Sequence, residues 1–186
     1  GIGIGAPNGN YFKGTIEQSP NLLWKGIVPL VELFRNYFDV PVTLTNDANA
    51  AAIGEMMFGG AQNMKDFIVI TLGTGLGSGI VVDGNLVYGH DSFAGEIGHT
   101  SVYLGTGRIC GCGRRGCLET YASAQGIRRT VFELLAERTD GSELREVSYA
   151  QMEAARIFEA AEKGDPIALE AFEITGRYLG MKLADS

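Results

Sequence analysis

The sequence predicts an α/β protein, and three observations carry that prediction. Short apolar runs, Val40 to Thr45 and Phe67 to Leu72, read as strands and alternate with longer stretches of helical character. An Ala-rich run from Asn46 to about Met57 follows the first of them directly, the strand-to-helix order of α/β folds. Asp83-Gly84 separates Ile80-Val81-Val82 from Leu86-Val87-Tyr88, which is a two-residue hairpin signal.

Taken in order, the chain opens at Gly1-Ile2-Gly3-Ile4-Gly5, an apolar alternation that predicts a strand, and turns at Pro7-Asn8-Gly9. Ser19-Pro20-Asn21 marks a loop leading to a helix around Pro29 to Phe38, with Leu30, Leu33, Phe34, Tyr37 and Phe38 on one face. Asn46 and Asp47 stand at the carboxyl end of the Val40 to Thr45 strand, a place where α/β proteins hold ligands. A glycine-rich stretch, Gly73 to Gly79, separates Phe67 to Leu72 from the hairpin. Beyond a loop-rich stretch from Gly89 to Gly116, three helices are expected. The second should start at Ser148 and Gln151, spaced as a capping box, and the third at Asp165-Pro166 as N-cap and first residue. The chain does not begin with Met, and Leu179, Met181, Leu183 and Ala184 break off inside a helical pattern, so further sequence is expected at both ends.

Composition narrows the function classes. Of 186 residues, 45% are hydrophobic and 20% charged, the balance of a globular protein without disorder bias. The 27 glycines are about twice the average share, which forecasts tight turns or close backbone approaches. A formal charge of −7 argues against nucleic acid or an anionic membrane as the main partner. No apolar run of membrane-spanning length and no signal peptide is present, so a cytoplasmic protein is expected.

Four motifs carry chemistry. All three cysteines fall within Cys110-Gly-Cys112-Gly-Arg-Arg-Gly-Cys117, and three thiolates need one more ligand for a closed tetrahedral zinc site. His99, eleven residues upstream of Cys110, is a suitable fourth donor. A disulfide plus a free thiol is the competing reading, disfavoured by the odd count. In Leu72-Gly73-Thr74-Gly75-Leu76-Gly77-Ser78-Gly79, exposed N–H groups and a hydroxyl suit a phosphate. The run matches neither common nucleotide motif, and a structural turn explains it equally well taken alone. In Thr45-Asn46-Asp47-Ala48-Asn49, Asp47 suits either a helix start or catalysis, and the two readings are compatible. Finally, Ala94-Gly95-Glu96-Ile97-Gly98-His99 sets an acid three residues from a histidine among small residues. His90 reads as a loop residue, and Arg114 and Arg115 as exposed side chains of the metal loop.

Together, Asn46-Asp-Ala-Asn-Ala-Ala-Ala, Leu72-Gly-Thr-Gly-Leu-Gly-Ser-Gly, Gly95-Glu-Ile-Gly-His99 and Cys110-Gly-Cys-Gly-Arg-Arg-Gly-Cys-Leu-Glu119 resemble the ROK family of bacterial sugar kinases and repressors. The likeness runs from Gly1-Ile-Gly-Ile-Gly-Ala-Pro to Gly176-Arg-Tyr-Leu-Gly180. It implies an actin-like ATPase (ribonuclease H-like) fold with two α/β domains around a cleft, commonly as a homodimer. Residues 1–62 would be the remainder of the small domain and residues 63–186 part of the larger one. By the same resemblance Asp47 is the catalytic base of a glucokinase-like reaction. Asn46, Glu96, His99 and Glu119, with Asn21, bind sugar hydroxyls, and Gly73, Thr74, Gly75 and Gly77 form a phosphate-binding turn. ATP, Mg²⁺ and Zn²⁺ are the implied cofactors.

Two departures are visible. The family's first phosphate-binding strand, an Asp-x-Gly-x-Thr run, and its Gly-rich adenosine segment are missing, so this stretch alone is expected to be inactive. Residues 1 to about 60 would then leave apolar faces uncovered, which favours self-association. Asn8 stands where Gly is usual, a mild change because Asn tolerates left-handed backbone. A kinase for glucose is the first expectation. A sugar-responsive repressor of the same family, or a kinase for N-acetylmannosamine, N-acetylglucosamine or fructose, are the alternatives.

Overall fold

The computed structural model describes residues 1–19 and 22–185. Packing divides the chain into two compact units, Gly1–Thr71 with Gly77–Glu96, and Leu72–Leu76 with Ile97–Ser186. Residues 63–71 thus pack with those before them, across the division expected at residue 62.

In the first unit, β1 (Ile2–Gly5) pairs in parallel with β5 (Val42–Thr45), in register from Ile2 opposite Val42 to Gly5 opposite Thr45. Alternation sends Ile2, Ile4, Val42 and Leu44 to one core with Ala6, Ile16 and Val31. Between these strands run β2 (Gly9–Asn10), β3 (Thr15–Glu17) and β4 (Ile27–Val28), a small antiparallel sheet. Asn8, at φ 55°, takes the left-handed conformation that the turn into β2 requires, and its amide donates to the Glu17 carbonyl at 3.0 Å.

Helix α1 (Leu30–Arg35) is shorter than the stretch from Pro29 to Phe38 that the pattern predicts. Pro29 offers no side-chain cap, and six residues are too few to present a repeating apolar stripe. Val31 is buried, its N–H donating to the Gly14 carbonyl at 3.0 Å, and Leu30 and Phe34 of the expected face pack on the same core; Leu33 is exposed, and Tyr37 and Phe38 lie exposed beyond the helix.

Helix α2 (Asp47–Phe58) follows β5 as the sequence predicts; Asp47 stands in its first turn, and the N-cap is Asn46, accepting from the Ala48 N–H at 2.8 Å. It buries Ala48, Asn49 and Ala52. β6 (Phe67–Leu72), β7 (Leu76–Val82) and β8 (Asn85–Leu86) form a three-stranded sheet in that order. β7 starts inside the glycine run, not after it as expected. Side chains there would block the helix: a Cβ on Gly79 would stand 2.6 Å from the Ala52 Cβ and 2.9 Å from the Ala48 carbonyl oxygen. Gly77 is under the same constraint from Ala48. The hairpin at Asp83-Gly84 is as predicted, with both residues left-handed at φ 51° and 73°. β8 ends at Leu86, before Tyr88, whose ring stacks on Tyr11 at 4.2 Å.

The second unit is built on three helices, α3 (Ala124–Glu137), α4 (Ala154–Glu162) and α5 (Pro166–Ala184). Ile127, Val131, Leu144, Met152, Ile157 and Ile167 fill its core. Asp165 caps α5 as expected, accepting from the N–H groups of Ile167 and Ala168 at 3.0 Å each. The capping box expected at Ser148 is absent. Tyr149–Gln151 is a 3₁₀ turn, the Ser148 hydroxyl donates to the Gln151 side chain, and extended backbone at buried Met152 delays α4 to Ala154. Among the described residues, no helix is long and apolar enough to cross a membrane.

Candidate functional site

In the second unit, His99 closes a 3₁₀ turn, Ile97–His99, that passes close to Leu76. Only a glycine at position 98 permits this, because a Cβ there would collide with the Leu76 carbonyl. The loop after it is folded by antiparallel bridges, Ser101 with Cys117 and Ile109 with Arg115. Gly113 and Gly116, at φ 87° and 75°, supply left-handed turns between the cysteines. A tight knuckle results, with the Cys110 N–H donating to the Arg114 carbonyl at 2.9 Å and the Gly113 N–H to the Cys110 carbonyl at 3.0 Å.

This folding gathers one donor atom each from His99, Cys110, Cys112 and Cys117 within 4.8 Å of one another. The Cys112 and Cys117 sulfurs lie 3.7 Å apart, and Cys110 Sγ lies 3.6 Å from His99 Nδ1. A tetrahedral zinc with ordinary bond lengths would set about 3.8 Å between sulfurs and about 3.6 Å between sulfur and nitrogen. The four residues therefore fit that ion, and no disulfide competes. Burial pushes the Cys110 thiol up to about 12. At Cys112 burial acts the same way, but the Arg114 backbone and guanidinium donors outweigh it and bring the thiol down to about 6. The Arg114 guanidinium also donates to the His99 carbonyl at 3.0 Å, and both Arg114 and Arg115 are exposed, as the sequence suggests.

The anchor of this loop is a residue that sequence reasoning missed. Arg108 donates from Nη1 to the carbonyls of Thr120 and Gly126 at 2.7 and 3.0 Å, from Nη2 to the Thr130 hydroxyl at 2.9 Å, and from Nε to Glu133 at 3.0 Å. Its guanidinium also lies over the Tyr121 ring, 4.5 Å from the centroid. Nothing in the local run Thr106-Gly107-Arg108-Ile109 distinguishes this arginine from Arg114 or Arg115. Its partners come from α3 and the turn before it.

The turn Gly73–Leu76 belongs to the same unit. Gly73 and Thr74 are exposed, the Gly73 N–H donates to the Gly75 carbonyl at 3.0 Å, and the Gly73 carbonyl accepts from Ala124 at 2.9 Å. Glu119, on the 3₁₀ turn Leu118–Thr120, accepts the Leu76 N–H on Oε2 at 3.0 Å. Its Oε1 is 3.8 Å from Cys110 Sγ.

In the first unit, Asp47 is exposed in the first turn of α2, and its Oδ1 accepts from the Ala48 N–H at 2.9 Å. The carboxylate is thereby oriented at a helix start. Glu96 is exposed, following Gly95 at φ 85°, where a Cβ would meet the Ser78 carbonyl. Gly77 lies in β7 under α2 instead of in the turn proper. His90 is a loop residue, fully open to solvent beside Asp91. The Asn21 expectation lies outside the described residues.

Comparison with known proteins matches this architecture. The family model described as the ROK family covers residues 1–186. A glucokinase of Halalkalibacterium halodurans is 40% identical over 100% of this chain and 56% of its own length. A solved ROK family transcriptional regulator, a homologue of the E. coli MLC protein, superposes with a TM-score of 0.86 at 34% identity, covering 98% of this chain and 45% of that one. A ROK family glucokinase from Streptomyces griseus, solved with glucose and AMPPNP, gives a TM-score of 0.85 at 38% identity, covering 99% and 60%. The chain thus spans about half the length of the relatives it matches.

Proposed function

The chain belongs to the ROK family, with the α/β actin-like ATPase fold of its neighbours, and from that premise we propose that the complete protein transfers the γ-phosphate of ATP to a hexose, glucose first among them. The observation that carries the proposal is the exposed Asp47 carboxylate, oriented by the N-cap turn of α2 at the carboxyl end of β5. Asp47 would accept the proton of the attacking sugar hydroxyl. An ordinary carboxylate is a weak base for an alcohol, but a loose transition state delays proton transfer, so orientation counts as much as basicity.

Asn46, Glu96, His99 and Glu119, with Asn21, would bind sugar hydroxyls, since carboxylates and amides can engage a hydroxyl pair with epimer-specific geometry. Gly73, Thr74, Gly75 and Gly77 would form the phosphate turn, and Mg²⁺ would arrive with ATP. Zinc on His99, Cys110, Cys112 and Cys117 would supply a structural tie. His99 Nδ1 lies 3.6 Å from Cys110 Sγ, so zinc held there would fix the orientation of a recognition residue. The proposal includes a cytoplasmic setting and a homodimer.

A repressor reading is supported by the likeness to the MLC-type regulator. The Asn46-Asp47 pair kept together with the glycine turn favours the kinase. Assay of the complete protein with ATP against glucose, fructose, N-acetylglucosamine and N-acetylmannosamine tests both. Turnover highest on glucose is expected; tight sugar binding with no turnover on any of them would favour the repressor.

A further inference from the structure

We propose that Glu119 is a positioning residue for the nucleotide as well as a sugar ligand, because its carboxylate holds the Gly73–Leu76 turn in shape. The inference rests on the reading of that turn as phosphate-binding. Three ties fix the turn. Its start is held through the Gly73 carbonyl on Ala124, its middle by the Gly73-to-Gly75 bond, and its end by the Leu76 N–H on Glu119 Oε2. The first two are neutral backbone bonds; the third is charge-assisted and stronger.

Gly75 confirms how closely the carboxylate lies against the turn, since a Cβ at that position would collide with Oε2. The glycine therefore leaves room for the Glu119 carboxylate and does not serve a left-handed backbone, for Gly75 is not among the left-handed glycines. A turn that must present N–H groups to an anion works best when its shape is set beforehand. Oε2 is engaged on Leu76, while Oε1 has only the long contact to Cys110 Sγ at 3.8 Å and is the oxygen that would meet a sugar hydroxyl. One carboxylate then touches both substrates' sites, and the binding of one substrate should favour the other reciprocally.

The two available substitutions separate the roles. Glu119→Gln keeps an oxygen that can accept the Leu76 N–H but replaces the other with a donor, so it should weaken sugar binding and spare the turn. Glu119→Ala removes both. ATP affinity of the complete protein, measured by calorimetric titration without sugar and again with glucose, is the readout, with zinc content checked in each variant. The expected result is a loss of ATP affinity of about tenfold or more in Glu119→Ala, and a change within about twofold in Glu119→Gln. Gly75→Ala, which displaces the carboxylate while leaving it in the chain, should reproduce the loss, and should add little in the Glu119→Ala background. It carries the test if Glu119→Ala fails to fold. Parental ATP affinity in both Glu119→Ala and Gly75→Ala would overturn the inference and leave Glu119 a sugar ligand only. Absence of ATP binding by the parental protein would overturn the kinase reading, and this inference with it.

Discussion

At the scale of single residues, Arg108 shows how much structure one side chain can organise. It bonds to two backbone carbonyls, a hydroxyl and a carboxylate, tying the cysteine loop to α3 and to the turn that carries Glu119. Arg108→Met should leave the Thr120 carbonyl without this donor, while Gly126 keeps the Thr130 hydroxyl, and destabilise the loop by about 1–2 kcal/mol, with Glu133 discounted because it is half exposed. The check is zinc release to a chelator, expected to be faster in the variant at unchanged initial zinc content. The convergence of the cysteines and His99 was legible in the sequence because donor type and spacing carry the signal locally. Arg108 and the bond from Leu76 to Glu119 were not, because their partners lie twelve to twenty-five and 43 residues away in sequence. No local pattern encodes such pairings.

At the scale of elements, the glycine run has two jobs that the sequence alone blends. Gly73 and Thr74 form an exposed turn, whereas Gly77 and Gly79 sit in β7 so that the alanine face of α2 can lie against it. The Ala-rich helix and the glycine strand are one packing solution. Gly79→Ala should therefore cost about 1–3 kcal/mol by overpacking, although alanine is better than glycine for a strand in isolation. A thermal midpoint lower than the parental value checks this, and an unchanged midpoint would contradict it. Strand and helix order, the hairpin at Asp83-Gly84 and the Asp165 cap could all be read from local rules. The face of α1 was legible only at Leu30 and Phe34, and the start of α4 was not. In both, one buried side chain, Val31 or Met152, fixes the local path against the periodic pattern. The cysteine loop is the element with a metal at stake, and one zinc per chain is expected on elemental analysis of the purified protein. A well-folded, metal-free sample would refute it.

At the scale of the whole molecule, each of the two units has its own apolar core, one around Leu44 and Val31 and the other around Val131 and Ile157. The acidic net charge of −7 gives no long-range attraction for a polyanion, so the proposed phosphate binding would rest on local N–H groups and Mg²⁺. Family membership is shown by a match over the full chain, and the proposed choice among the family's activities rests on the helix-start carboxylate. That carboxylate is where the account is most exposed to refutation. The direct test is kcat for ATP-dependent glucose phosphorylation by the complete protein beside its Asp47→Asn variant, with folding and zinc content verified. A fall of roughly 10²- to 10⁴-fold in kcat, with little change in glucose affinity, is predicted for the loss of a positioned base. Near-parental turnover in the variant would contradict the account and leave Asp47 with no role beyond starting α2.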